Sequence, residues 1–261
     1  APQATLIFDT VDLHYLREQR AAQVTGKVEQ AQQAARTRTQ ELKLMRECDV
    51  NLVVSEVEQE LLAREAPGAR VEIFSNVHEV YGRRREFDAR HDLVFVGGFQ
   101  HPPNVDAVIW FVREVFPLVR AALPEVNFHV VGSKAPPAIT QLAHDGVKVH
   151  GFVADIAPFM DECRISVAPL RYGAGVKGKV NMAMSYGLPV VATSAAVEGM
   201  HVSDGEQVLV ADSAQDFAAA IVRVYNDATL WKKLSDQGLA NVQTHFSFAA
   251  AREALRRILP F

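Results

Sequence analysis

Short, continuously apolar runs separated by helix-length segments constrain this chain more than any other feature. Leu93–Val96, Asn127–Val131, Val147–His150, Ile165–Ala168, Pro189–Ala192 and Gln207–Val210 recur in this way, each followed by a turn. Strands that are apolar on both sides need both faces covered, and strands joined through helices run parallel. Residues 91–261 are therefore expected to form a doubly wound parallel α/β sheet, Rossmann-like in plan. Ligands of such sheets bind beyond the carboxyl ends of the strands, where Gly97, Gly132, Gly151, Arg171 and Thr193 lie.

The front of the chain alternates in the same manner with fewer strands. Thr5–Phe8 and Asn51–Val54 read as buried strands and Val71–Phe74 as a third strand, and Ser55 reads as the N-cap of a helix over Glu56–Arg64. Between the first two strands the spacing gives one long polar helix from about Leu13 to Glu47, free of proline and with Gly26 alone inside it. A charged linker through Arg83–Arg85 and Arg90 marks a boundary, dividing the chain into a partial N-terminal α/β domain, 1–90, and a C-terminal domain, 91–261. Three strands read as the second half of such a domain, and the abrupt start on a strand reads as an internal cut in a longer protein. In the second domain Asn104 is expected to cap a helix running to about Leu123, with Trp110 and Phe111 in the core.

Composition excludes several partners. A net charge of −4 supplies no basic field for nucleic acid. No apolar run approaches the ~18 residues of a membrane-spanning helix, and no signal peptide is expected. Cys48 and Cys163 have no metal or redox spacing and read as small buried or half-buried thiols, in keeping with a cytoplasmic location. The histidines form no HxxxH or HExxH set, so no metal site is expected. The last helix, within Phe246–Leu259, is basic on one side. That suits either peripheral contact with a membrane's inner face or, the preferred reading, packing back on the first domain.

The chemistry concentrates in Pro169–Lys179, PLRYGAGVKGK, which leads from a strand into a helix. Gly173, Gly175 and Gly178 bring main-chain N–H groups close to a ligand, and the following helix adds a partial positive end. Arg171, Lys177 and Lys179 flank the turn, a combination that suits a diphosphate. The spacing is not that of a P-loop, and no GxGxxG follows the first strand.

The stretch RYGAGVKGKVNMAMSYGLPVVAT followed by AVEGM resembles the donor-binding core of the retaining glycosyltransferase family 4, of the GT-B fold. FVGGFQHPPNVDAVIWF, VVGS and GFVAD upstream, and FDTVDLHYLREQR, CDVNLVVSEVEQELL and VEIFSNVHE at the front, are similar to the same family in order and spacing. The resemblance is closest to members of bacterial surface-polysaccharide assembly. It implies a two-domain enzyme that moves a sugar from a nucleotide-diphosphate donor to a glycan or lipid-linked glycan, with retention, without metal or other cofactor; no Asp-x-Asp occurs here.

Placed on this family, Lys177 and Arg171 meet the leaving diphosphate together with Gly173, Ala174, Gly175, Val176 and Lys179. Gly97, Gly98, His101 and Asn104 line the first loop, where the family's basic pair is missing. Phe152 and Val153, in Gly151 to Val153, lie where the base binds or form a plain turn, and His14 faces the acceptor cleft or is a surface histidine of the first helical turn. The family's Glu-x7-Glu motif falls on Ala174 and Met182, neither acidic. Glu198 is the nearest remaining acid; it either holds a donor hydroxyl or caps a helix. These departures keep open a nucleotide-sugar-binding protein without turnover, and a related enzyme such as an epimerase.

Overall fold

The computed structural model describes residues 4–259, so the outermost residues of both domains read above (1–3 and 260–261) lie outside it. The front contributes β1 (Ile7–Asp9), α1 (His14–Thr25), α2 (Val28–Glu47), β2 (Val50–Val53), α3 (Glu56–Glu65) and β3 (Val71–Ile73). These strands pair in parallel in the order β1-β2-β3. Ser55 caps α3 as expected, its side chain accepting from the Glu58 amide.

The single long helix of the sequence reading is two. Gly26 adopts φ 69°, and its amide donates to Ala22 O at 2.8 Å, which closes α1 in a left-handed cap. The chain then reverses, and α2 packs back along α1 as a hairpin. Tyr15 and Ala22 of α1, with Ala34, Leu42 and Met45 of α2, are buried, while the remaining faces stay wet.

The second unit follows a short 3-10 turn at Phe87–Ala89 and contains β4 (His91–Val96), α4 (Pro102–Trp110), α5 (Phe116–Ala122), β5 (Phe128–Val131), α6 (Pro137–Thr140) and β6 (Val147–Gly151). Then come α7 (Ala157–Glu162), β7 (Cys163–Ala168), α8 (Gly178–Ser185), β8 (Val190–Ala192), α9 (Ser194–Val197), β9 (Leu209–Val210), α10 (Ala214–Asn226), α11 (Ala228–His245) and α12 (Phe248–Ile258). All pairings are parallel, in the order β6-β5-β4-β7-β8-β9, as the apolar runs require. Helices α4 and α5 are continuous through one π turn at Phe111–Val115, where Phe111 packs on Phe128 with ring centroids 4.5 Å apart. Trp110 and Phe111 are core residues, and Cys163 is a buried thiol.

Strand order fixes where a ligand goes. The chain leaves β4 for β5 and β6, then returns to the other side of β4 as β7, so β4 and β7 form the topological switch point. The connections beyond their carboxyl ends must part in opposite directions and open a crevice. The carboxyl ends of the first sheet face the same crevice: Asn76, after β3, donates through Nδ2 to Val176 O at 2.9 Å. Helix α12 returns to the first sheet, burying Ile258 beside Val50 and Leu52, with Arg70 donating to its carbonyl at 3.2 Å.

Candidate active site

A cleft of about 340 Å³ occupies the switch point. Val11, Asp12, His14 and Arg17 line it from the first unit; His101, Pro103 and Asn104 after β4, and Leu170, Gly173, Ala174 and Val176 to Lys179 after β7, line it from the second, while Gly175 does not reach it.

The glycine turn is packed against the first unit. Gly175 has φ +66°, and a Cβ there would stand 2.9 Å from Asp12 Cβ and 3.3 Å from Val54 Cγ2, so only glycine serves the bend and the approach together. Lys177, 8% exposed, turns its Nζ inward and donates to Ala174 O at 3.0 Å and Gly175 O at 2.5 Å. The ammonium thereby gathers the carbonyls of the turn. Residues Gly173 to Lys177 are buried, yet among the described residues none of their main-chain amides donates a hydrogen bond to a protein acceptor. Gly178 and Lys179 begin α8, where amides have no intrahelical acceptor. Buried amides without acceptors are costly unless a ligand accepts from them.

Lys179 lies beside this row. Its Nζ donates to Asn104 Oδ1 at 2.8 Å and stands 5.4 Å from the Phe95 ring centroid. Neither Lys177 nor Lys179 makes an ion pair with a carboxylate among the described residues. Burial pushes Lys177 down to about 8, with Glu198 pulling the other way, and pushes Lys179 down to about 7, helped by Lys177. Two lysines that lose charge by desolvation are a site short of negative charge.

Asn104 is not the N-cap the sequence suggested. Pro102 and Pro103 start α4, and Asn104 lies inside its first turn, where Nδ2 donates to Gly98 O at 2.7 Å while Oδ1 accepts from Lys179. It links the β4 loop to the β7 turn. Gly97 closes beneath it, since a Cβ there would meet Asn104 Nδ2 at 2.9 Å.

Other sequence-derived positions fall elsewhere. Arg171 leaves the cleft and pairs in fork geometry with Asp106 of α4, which holds its guanidinium above the ordinary arginine range. Glu198 stands at the C-cap position of α9, and both its oxygens are engaged. It follows α9, and Arg20 of α1 engages it at 2.6 and 2.8 Å while also donating to Gly173 O at 2.7 Å. Met182 packs on the core, Phe152 is 76% exposed, and neither they nor Gly98 and Val153 line the cleft. His14 does line it, with Nδ1 3.0 Å from Glu41 Oε1. Beside it Arg17 is ion-paired with Asp12, the polar cluster their spacing suggests. Arg20 and Glu41 escaped the sequence reading; the one available signal is Arg20 one turn beyond Arg17 on the same helix face.

The model of the family described as Glycosyl transferases group 1 matches residues 90–227. The chain belongs to that family. The match covers the six-stranded sheet and the glycine turn, the part of this group 1 member that builds most of the cleft. A relative from Klebsiella pneumoniae, an uncharacterized 44.6 kDa protein in the cps region, is 25% identical over 171 residues, covering 62% of this chain and 44% of its own length. Sucrose-phosphate synthase from Thermosynechococcus elongatus superposes with a TM-score of 0.77 at 19% identity, over 97% of this chain and 66% of that one. Anabaena HepE in complex with UDP and glucose gives 0.72 at 17%, over 99% and 72%. These likenesses show the GT-B fold. The chain spans less than half the length of the cps-region relative. No described helix is long and apolar enough to cross a membrane.

Proposed function

We propose that this chain carries the donor site and part of the acceptor cleft of a glycosyltransferase that moves a sugar from a nucleoside-diphosphate donor to a glycan or lipid-linked glycan. The observation that carries this reading is the row of acceptor-free amides at Gly173–Lys177 beside two lysines without carboxylate partners. Charge grows on the diphosphate as the glycosidic bond to it breaks. Preorganised amides and ammonium groups aimed at that charge lower the barrier without reorganising. The positive charge comes from the protein, so the transfer is taken to need no metal, and activity should persist in chelator. The transfer is taken to proceed with retention, which is checked by the anomeric configuration of the product. The HepE complex contains UDP and glucose, which makes UDP-sugars the first donors to test. The cps-region relative makes a surface-polysaccharide glycan the first acceptor class.

A thermal-shift series with UDP, GDP, ADP and their sugars, followed by a sugar-release assay, tests the reading. A ligand that binds only the native state raises the melting temperature, by about 2.7 kcal/mol of stability at a hundredfold excess over Kd. No shift with any of them defeats it. Binding with neither transfer nor release favours a nucleotide-sugar-binding protein, for which neutral Ala174 and Met182 at the family's glutamate positions already speak.

The lysines also make affinity depend on pH. A bound diphosphate stabilises their charged forms, so binding takes up protons wherever the free lysines are neutral. Affinity is then highest below about 7, the value of free Lys179, and falls as pH rises past that and past about 8, the value of Lys177. A terminal phosphate is already ionised above roughly pH 6 and adds no trend of its own there. The Kd for UDP is expected to rise by about tenfold or more from pH 7 to 9, with proton uptake visible in calorimetry as a dependence on buffer ionisation enthalpy.

A further inference from the structure

We propose that a second pocket, between the α1–α2 hairpin and the start of α4, seats the acetamido group of an acceptor sugar. This rests on the transfer reading above and gives that reading an acceptor of stated chemistry.

The pocket holds about 220 Å³ and adjoins the cleft, for Arg17 and Pro103 line both. Three elements lead from one to the other. On α1, His14 and Arg17 line the cleft while Arg17, Glu18 and Ala21 line the pocket, so the two follow each other along one helical face, about one 5.4 Å turn apart. On α4, Pro103 and Asn104 face the cleft and Pro102 and Pro103 the pocket. Tyr172, which lines the pocket, lies in sequence between the cleft residues Leu170 and Gly173. A substituent on a sugar in the cleft therefore enters by passing Arg17 and Pro103.

Ala21, Pro102, Pro103 and the Tyr172 ring make much of the wall apolar, and an apolar wall with a few polar groups is what orients a small ligand. The polar part has one acceptor and one donor to spare. Glu18 accepts from Thr37 through Oε2 at 2.7 Å, and among the described residues its Oε1 has no hydrogen-bond partner. Arg17 donates to Asp12 through Nη1 alone, which leaves its other N–H groups unused. An acetamido group matches this set, with a methyl for the apolar wall, an N–H for Glu18 and a carbonyl for Arg17. A hydroxyl in its place brings no methyl. Charge narrows the choice further. Arg17 is ion-paired with Asp12, whereas Glu18 has no ion pair among the described residues, so a uronate or phosphate here would meet a carboxylate without compensation.

The test uses the full chain and three probes, the methyl glycosides of N-acetylglucosamine, glucose and glucuronic acid, with the UDP-sugar that raises the melting temperature most as donor. In saturation-transfer NMR with UDP present, the acetyl methyl should be the most strongly contacted group of the probes. The acetamido glycoside should bind and accept sugar about tenfold or more better than the glucoside, the low side of what one apolar group in a fitted pocket gives, and the glucuronide should be the poorest of the three. Ala21→Leu fills the pocket with a residue that α1 tolerates. It should bring the acetamido glycoside down to the level of the glucoside while the Kd for UDP stays as in the wild type. Equal use of acetamido glycoside and glucoside, a preference for the glucuronide, or a preference that survives Ala21→Leu overturns this inference and leaves transfer standing. Should Ala21→Leu not fold, the wild-type ranking of the three probes still decides. A wild type that neither transfers to any probe nor releases sugar from the donor sinks the transfer reading, and the acceptor role of the pocket with it.

Discussion

Replacing Lys177 by alanine is expected to lower sugar transfer by about 10²-fold or more, the loss that follows removal of one preorganised donor to a developing oxyanion. Two consequences reinforce each other. The ammonium is one of the two positive side chains at the amide row. It also gathers the carbonyls of Ala174 and Gly175, so its loss frees the turn whose amides would meet the diphosphate. A Cβ on Gly173 would stand 2.9 Å from Lys177 Cε, which shows how closely the turn is wrapped on this side chain. Lys177→Met keeps the packing of the stem but removes the ammonium together with its two hydrogen bonds to the turn, and should lose the rate as Lys177→Ala does. Lys179→Met leaves the turn in place and should weaken UDP binding first. The measurements are kcat, UDP affinity and thermal stability on each variant. Near-unchanged transfer in Lys177→Ala would remove the diphosphate assignment.

The parallel sheet was legible because burial on both faces writes itself as continuous apolar runs. Leu93–Val96 and Ile165–Ala168 match the ends of β4 and β7, and the switch point between them follows from strand order. The glycine turn was legible for the same reason, since local backbone demands appear as local composition. Arg171 was misjudged because a side chain's target is not local. It adjoins the turn in sequence, yet Asp106, 65 residues earlier, takes it. Glu198 is met by Arg20 from 178 residues away, and Glu41 reaches back 27 residues to His14. Nothing short of the fold brings such pairs together. The break at Gly26 was hidden for another reason: a single glycine inside a polar helix costs only about 1 kcal/mol, so its presence does not force a reversal until α2 has something to pack against.

The Arg20–Glu198 pair ties the halves together at the edge of the cleft. Both Glu198 oxygens are occupied, so a donor hydroxyl reaching this carboxylate would have to displace a guanidinium that also holds Gly173 O. Position relative to the turn, more than sugar contact, is what this geometry gives to Glu198. The α1–α2 hairpin thus brings two elements to the site, Arg20 to the turn and His14 to the cleft.

The largest loss of stability is expected at Gly132→Ala. An ideal Cβ there would lie 1.9 Å from Gly97 O and 2.8 Å from Gly97 C. Both atoms are backbone at the end of β4, so no rotamer change relieves the overlap. The two strand ends cannot simply separate either, because Gly97 donates to Val131 O at 3.0 Å and Gly132 to Gly151 O at 2.8 Å. Something in the ladder has to break, which sets the expected cost at about 3–5 kcal/mol, read from the denaturant midpoint. The damage also travels toward the cleft: Gly98 O, one residue on, accepts from Asn104, and Asn104 holds Lys179. UDP affinity should therefore fall even at temperatures where the variant remains folded. Gly98→Ala is the contrast, since a Cβ there meets nothing nearer than Ser133 Oγ at 3.9 Å and should cost under about 1 kcal/mol. If Gly132→Ala were as mild as Gly98→Ala, the close approach of the β4 and β5 ends would not be a constraint on this sheet.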